Sequence, residues 1–336
     1  MSNSINISGP SLALVAPLDL TESCLATPAF RAIKNARPDL SPVILCPKSA
    51  VPFWSIHFAQ ILPYDEKASA QQLAERFSSG TFHSAIILED SRASRAISRL
   101  GIPQRLGRET ADLKNLLTDP VSILTPVGPP RHKVTRYLDL VDKLGCPANK
   151  PENFATPKRS SHFQVPRIAL APDSDLGTAS QWPIESFREF TKQLIKAREV
   201  EFFILSLPGK SPAADALSQI LHKEKPTQPK KPQANDDIDL GNLLEVLPTF
   251  TALISGNSTL THLAAHLGLP TVALMGPHSP LSHRPLGRIH EVLTTHAECS
   301  PCNLTKCPLD HRCLNELTPE IVTQATIRLL EGNPSK

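Results

Sequence analysis

Neither sign of charge dominates this chain of 336 residues: 35 Lys and Arg stand against 32 Asp and Glu, a formal net charge of +3. No global basic field exists to recruit nucleic acid. Long apolar runs are missing too. The stretch Leu12 to Leu18 is too short for a membrane span or a signal-peptide core, and the opening residues MSNSINISGP carry no basic region before it, which points to a cytoplasmic protein. The first β-α turn, APLDLTESC, lacks G-x-G-x-x-G, so a dinucleotide-dependent dehydrogenase ranks low.

The chain has length for about two domains, with 40% hydrophobic residues to build their cores. Apolar runs and helical patterns alternate from the start: SLALVAPLD, CLATPAFRAIKNARP and PVILCP read as strand, helix and strand, a βαβ unit of a parallel sheet. AQQLAERFSS, HSAIILED and SRASRAISRLG continue the rhythm. In HKVTRYLDLVDKLG, Val134, Tyr137, Leu138 and Val141 fall at helical spacing and predict the helix that closes a first domain.

These patterns divide the chain into a domain over 1–150, a polar, Pro-rich linker over 151–166 and a second domain over 167–336. In the second, RIALAP predicts a strand, PIESFREFTKQLIKA a helix and VEFFILSLPG a strand. KEKPTQPKKPQANDD reads as a low-complexity loop, and NLLEVLPTF and TALISGN are assigned to the second sheet. A final helix over 318–331 opens with Thr318, Pro319 and Glu320. The predicted class is α/β, two Rossmann-like doubly wound domains facing each other across a cleft.

SGNSTLTHLAAHLGLPTVALMGPHSP, residues 255–280, combines a strand, a tight turn, a helix and a second strand. The turn Asn257-Ser258-Thr259 at the helix start offers backbone N–H groups, the positive end of the helix dipole and two hydroxyls to an anion. Simple N-capping by Ser258 or Thr259 is the alternative.

The same segment resembles the signature of the heptosyltransferases of glycosyltransferase family 9, D-[ST]-G-x-x-H-[LV]-A-A-A-L-x-x-P-x-x-A-L-x-G-P, through Ser258, His262, Leu263, Ala264, Ala265, Leu267, Pro270, Ala273, Leu274, Gly276 and Pro277. It departs at Asn257, where the family has Asp, and at Thr259, where it has Gly. PDSDLGTASQWPIESF is similar to P-G-A-x-x-G-x-A-K-x-W-P-x-x-x-F through Pro172, Gly177, Ala179, Trp182, Pro183 and Phe187.

The resemblance implies a GT-B arrangement, with the second domain holding a nucleotide sugar, ADP-linked by preference, and the first an acceptor of lipopolysaccharide or another lipid-linked glycan at the inner membrane face. Transfer would invert the anomeric centre and require no metal. The family's base falls on Glu22, one methylene longer than the family's Asp. Ser180, Asn257, Ser258, Thr259, His262 and Gly276 would form the donor and phosphate site. Ser180 stands where the family carries a Lys for the diphosphate, and Asp173 where it carries Gly. Lys210, Arg284 and Arg288, with His278 and His283, are the nearby basic residues available to compensate. The departures leave a second reading open, a catalytically impaired member that binds nucleotide sugar or glycan as a scaffold.

Cys299, Cys302, Cys307 and Cys313 form C-x2-C-x4-C-x5-C within a loop over 296–313. Four thiols in a short segment suit a structural zinc, closed to catalysis. An iron–sulfur cluster or reduced, packed thiols are the alternatives.

Overall fold

A computed structural model describes residues 5–124, 127–157, 163–209, 211–224 and 239–332. The chain divides into two compact units, Met1–Ala155 and Thr156–Lys336.

Among the described residues the first unit runs β1 (Ser11–Val15), α1 (Leu20–Ala36), β2 (Ser41–Pro47), α2 (Val51–Ser55), β3 (Ile61–Tyr64), α3 (Ala70–Phe77), β4 (Ser84–Ile86), α4 (Arg92–Arg99), β5 (Gln104–Arg108), β6 (Asp119–Val121) and α5 (Thr135–Lys143). The sheet order is β3-β2-β1-β4-β5-β6, every neighbouring pair parallel. Alternation decides which residues face which layer. Ala13 and Val15 join Leu73 and Phe77 of α3 and Ala93, Ala96 and Ile97 of α4 in one core cluster; Leu12 and Leu14, equally buried, turn to the opposite face.

Helix α1 holds Pro28 in its interior, which removes one backbone donor. The helix persists because its inner face is packed: Leu25, Ala29, Phe30 and Ile33 are buried, and the Phe30 ring lies 5.5 Å from Trp54 of α2. Burial outweighs the lost hydrogen bond.

The second unit contains β7 (Arg167–Ala171), α6 (Ile184–Ala197), β8 (Glu201–Ile204), α7 (Pro212–His222), α8 (Leu240–Val246), β9 (Ala252–Gly256), α9 (Thr259–His266), β10 (Thr271–Leu274), α10 (Pro280–His283), β11 (Glu291–Leu293), α11 (Arg312–Asn315) and α12 (Pro319–Leu330). Its parallel sheet has the order β11-β10-β9-β7-β8. The predicted terminal helix is α12, with the Thr318 side chain accepting from the Ile321 N–H.

NLLEVLPTF, assigned above to the sheet, is instead helix α8 and a following 3-10 turn. The Asp239 carboxylate caps it by accepting from the Asn242 N–H at 2.8 Å, a start signal that the apolar run conceals. Residues 225–238, most of the predicted low-complexity loop, lie outside the described residues.

Trp182 organises this core: its indole N–H donates to the Leu317 carbonyl at 2.8 Å, and its ring meets Phe187 edge-on at 4.8 Å. Both rings are fully buried with Phe190, Leu194 and Val322. Phe187→Ala should therefore cost about 3 to 5 kcal/mol, read as an earlier urea transition; a loss below about 1 kcal/mol would mean that the cluster collapses into the gap.

Candidate functional site

In doubly wound sheets, ligands bind outside the carboxyl ends of the strands where the strand order reverses. The reversal lies between β1 and β4 in the first unit and between β7 and β9 in the second. The exit loops of those strands carry the polar side chains of interest.

After β1 the chain turns at Asp19, whose carboxylate accepts from the Glu22 N–H at 2.9 Å and so starts α1. Glu22 stands in that first turn, its side chain 17% exposed. Its Oε2 accepts from the Tyr137 hydroxyl at 2.8 Å and from Arg136 Nη2, while the Lys133 ammonium lies 3.9 Å from Oε1. Burial, followed by the nearby carboxylate, pushes the Tyr137 phenol up, so it stays protonated and donates. Oε1 is the less engaged oxygen of Glu22.

Glu89, in the loop after β4, is the second carboxylate at this reversal. Its Oε1 accepts from the Leu18 N–H at 2.9 Å, tying the two exit loops together. It lines a cavity of about 720 Å³ with Arg108, Arg136 and Tyr137.

In the second unit, Asn257, Ser258, Thr259 and His262 are 1%, 1%, 4% and 4% exposed. Ser258 caps α9, its hydroxyl accepting from the Thr261 N–H at 3.4 Å. His262 Nε2 lies 3.3 Å from Asn257 Oδ1, and Asn257 Nδ2 is buried without a partner among the described residues. Thr259 donates twice to the Asp175 carboxylate, from its N–H at 2.9 Å and from its hydroxyl at 2.5 Å. Asp173 accepts from the Ala213 and Ala214 N–H groups at the start of α7, at 3.2 and 3.0 Å.

Between them, the Ser174 hydroxyl donates to the Asn257 carbonyl at 2.7 Å. Asp173, Ser174, Asp175 and Ser258 border a cavity of about 370 Å³.

Ser180 is buried in a 3-10 turn, its hydroxyl 3.4 Å from His278 Nδ1. Its carbonyl would lie 2.1 Å from any Cβ at Gly256, so only glycine fits at the end of β9. Gly276 is a close-approach position as well, since a Cβ there would meet Leu314 at 2.6 Å and Cys313 Sγ at 3.1 Å. Arg284 and Arg288 are exposed and do not line the 370 Å³ cavity, which has no Lys or Arg among the described residues bordering it. Lys210 lies outside the described residues.

The structural zinc expected at Cys299, Cys302, Cys307 and Cys313 finds no support: among the described residues no group of three or more His, Cys, Asp or Glu is placed to hold a metal. Packing accounts for two of the four cysteines. Cys313 is buried in the main core of the second unit, with Cys299 packed against it, as small apolar side chains. Burial, then the neighbouring thiols, pushes the Cys313 thiol up to about 11. No helix among the described residues is long and apolar enough to cross a membrane.

A model of glycosyltransferase family 9 (heptosyltransferase) matches residues 70–312. The chain belongs to this family. Lipopolysaccharide heptosyltransferase 2 of Escherichia coli K12 is 28% identical over 173 residues, covering 49% of this chain and 47% of that protein. The chain thus spans about half the length of the curated relatives it matches.

Among solved structures, a family 9 glycosyltransferase from Veillonella parvula aligns with a TM-score of 0.81 at 16% identity, covering 98% of this chain and 99% of that one. The E. coli ADP-heptose lipopolysaccharide heptosyltransferase II aligns with 0.74 at 20%, covering 96% and 98%. These likenesses show the GT-B fold of two parallel α/β sheets.

Set against the family 9 resemblance, reading the residues missed Glu89, Arg136, Tyr137 and Asp175. A carboxylate at the end of the apolar run SAIIL was the available signal for Glu89; Asp175 occupies a variable position of the motif and gave none. Burial, reinforced by Glu22 and Asp19 nearby, pushes the Glu89 carboxyl above its ordinary value of 4.5.

The folded protein therefore binds that proton more tightly than the unfolded chain, and this group's contribution to stability falls as pH rises through the window above 4.5. Glu89→Gln, which keeps an oxygen for the Leu18 N–H, should be more stable than the parent at pH 7, with the gap closing below about pH 4.5. Urea unfolding at both pH values checks this; a parent more stable at pH 7 would reverse the assignment.

Proposed function

We propose that this chain is a glycosyltransferase that moves a heptose-type sugar from a nucleotide-linked donor, ADP-linked by preference, to a lipopolysaccharide-type acceptor with inversion. Membership of family 9 carries the reading. The name of the E. coli relative supplies the donor and acceptor class, and the carboxylates of the first unit supply the chemistry.

An inverting transfer needs a base for the acceptor hydroxyl. Glu22 has that role here. Capping by Asp19 fixes its backbone, Tyr137 and Arg136 hold Oε2, and Oε1 is left to accept the proton. The adjoining 720 Å³ cavity, with Arg108 and Arg136 on its wall, is sized for a sugar acceptor and offers cations to its anionic groups. Departure of the nucleoside diphosphate calls for aligned dipoles in the second unit, where Ser180, Asn257, Ser258, Thr259, His262 and Gly276 are assigned to the donor.

A second reading, a family member that binds nucleotide sugar or glycan as a scaffold, is favoured by one observation: no Lys or Arg among the described residues borders the 370 Å³ cavity. It requires binding without turnover.

Incubating the protein with ADP-heptose and a lipopolysaccharide core lacking the corresponding heptose should yield a product heavier by one heptose. Glu22→Gln should lower that rate by about a hundredfold or more. A parent protein that forms no product rejects the transferase reading; a fully active Glu22→Gln rejects only the role of Glu22.

A further inference from the structure

The loop Asp173-Ser174-Asp175 leaves the carboxyl end of β7 at the point where the second sheet reverses its order. Its three side chains bind two helix starts, Asp173 that of α7 and Ser174 and Asp175 the turn into α9. Asp173 accepts from two N–H groups opening α7. The Ser174 hydroxyl donates to the Asn257 carbonyl. Asp175 accepts from the N–H and hydroxyl of Thr259, the first residue of α9.

A helix N-terminus attracts negative charge because its first N–H groups lack partners within the helix and its dipole is positive there. Two such ends adjoin this loop, and a carboxylate of the chain sits on each. The cavity beside them contains Asp173 and Asp175 and no Lys or Arg among the described residues. An anion entering it would meet two negative charges at short range and find the α9 N–H of Thr259 already engaged.

Two further observations bear on the same turn. Thr259 is one of the positions at which the chain departs from the family signature, where glycine is usual. Its hydroxyl, which a glycine would not provide, makes the shorter of the two bonds to Asp175, 2.5 Å against 2.9 Å. The neighbouring Asn257 Nδ2 is a buried donor with no partner among the described residues, so the turn retains unused capacity for an acceptor atom while its leading N–H is taken.

We propose that Asp175 is an in-chain competitor for the donor's diphosphate: its carboxylate occupies the anion position at the start of α9, and a nucleoside diphosphate binds only by displacing it. This rests on the reading that the second unit receives a nucleotide-linked donor. The contact makes donor affinity a difference of two similar terms, the carboxylate–helix interaction lost and the phosphate–helix interaction gained. Thr259 sets the first term by adding a charge-assisted hydrogen bond. Asp173, committed to α7, holds the other end of the loop and opposes its displacement.

Calorimetric titration with ADP, on the parent protein, Asp175→Ser and Asp175→Asn, tests this. Asp175→Ser removes the charge and should tighten ADP binding about tenfold, the order of effect that a charge at a helix N-terminus carries. Asp175→Asn keeps the shape and loses the charge, and should tighten binding by a smaller factor. It also serves as the measured variant if melting curves show that the serine variant does not fold.

Binding by a variant where the parent shows none supports the proposal and traces the parent's failure to Asp175. Equal ADP affinity in parent and folded variant overturns the proposal while leaving the donor reading intact. Absence of binding in every folded variant also overturns it. Product formation by the parent, assayed separately, then decides the transferase reading.

Discussion

Backbone N–H groups at the start of a helix must find acceptors; in this chain the hydroxyls of Ser69 and Ser91 cap α3 and α4, and carboxylates supply the acceptor at several others. Asp19 does so for α1, Asp239 for α8, Asp173 for α7 and Asp175 for α9. The parallel topology fixes where these helix ends lie. Each βα connection points a helix N-terminus toward the side of the sheet where a ligand would bind. Whether a given helix end is available to an anion depends on which acceptor reaches it first.

The two reversal points resolve that competition differently. In the first unit the negative charge of Glu22 is met by Arg136, Lys133 and the Tyr137 hydroxyl. The result is a balanced cluster beside a cavity that also carries cations. In the second unit the loop carboxylates are bound, among the described residues, by backbone N–H groups and the Thr259 hydroxyl, and the adjoining cavity has no cationic side chain among the described residues. The apolar frame of family 9 persists around both. Leu260, Leu263 and Ala264 remain buried, and Gly256 still admits the close approach of the Ser180 carbonyl. The frame and the polar atoms at its edge are separate sets of residues, so fold and site chemistry can diverge independently.

The cysteine-rich loop illustrates the same separation between pattern and placement. Four thiols at close spacing suggest a metal, yet Cys313 is drawn into the core beside Gly276 and Leu314. The loop is secured by backbone-directed bonds: the Ser300 hydroxyl donates to the Gly276 carbonyl at 2.6 Å, and the Asn303 N–H donates to the Pro277 carbonyl at 2.8 Å. Spacing along the chain sets how near side chains can come; burial decides which of them turn inward.

Periodicity sufficed for the elements whose residues carry their own signal. The strand SLALV, the helix from Ile184 and the capped helix after Thr318 were legible because alternation, helical spacing and a start residue are local properties. α8 was not, since a short apolar run fits strand and helix alike and only its Asp239 cap distinguishes them. The turn at Ser258 was legible as a helix start, with two possible uses. Tertiary structure added a contact that neither use foresaw, by bringing Asp175, 84 positions earlier, onto Thr259. By itself the sequence determined two parallel α/β units and the location of their exit loops, because those follow from local patterns of burial. Only the tertiary structure decided which charges meet there, because a hydrogen bond between loops depends on strand order and direction, which neighbouring residues do not encode.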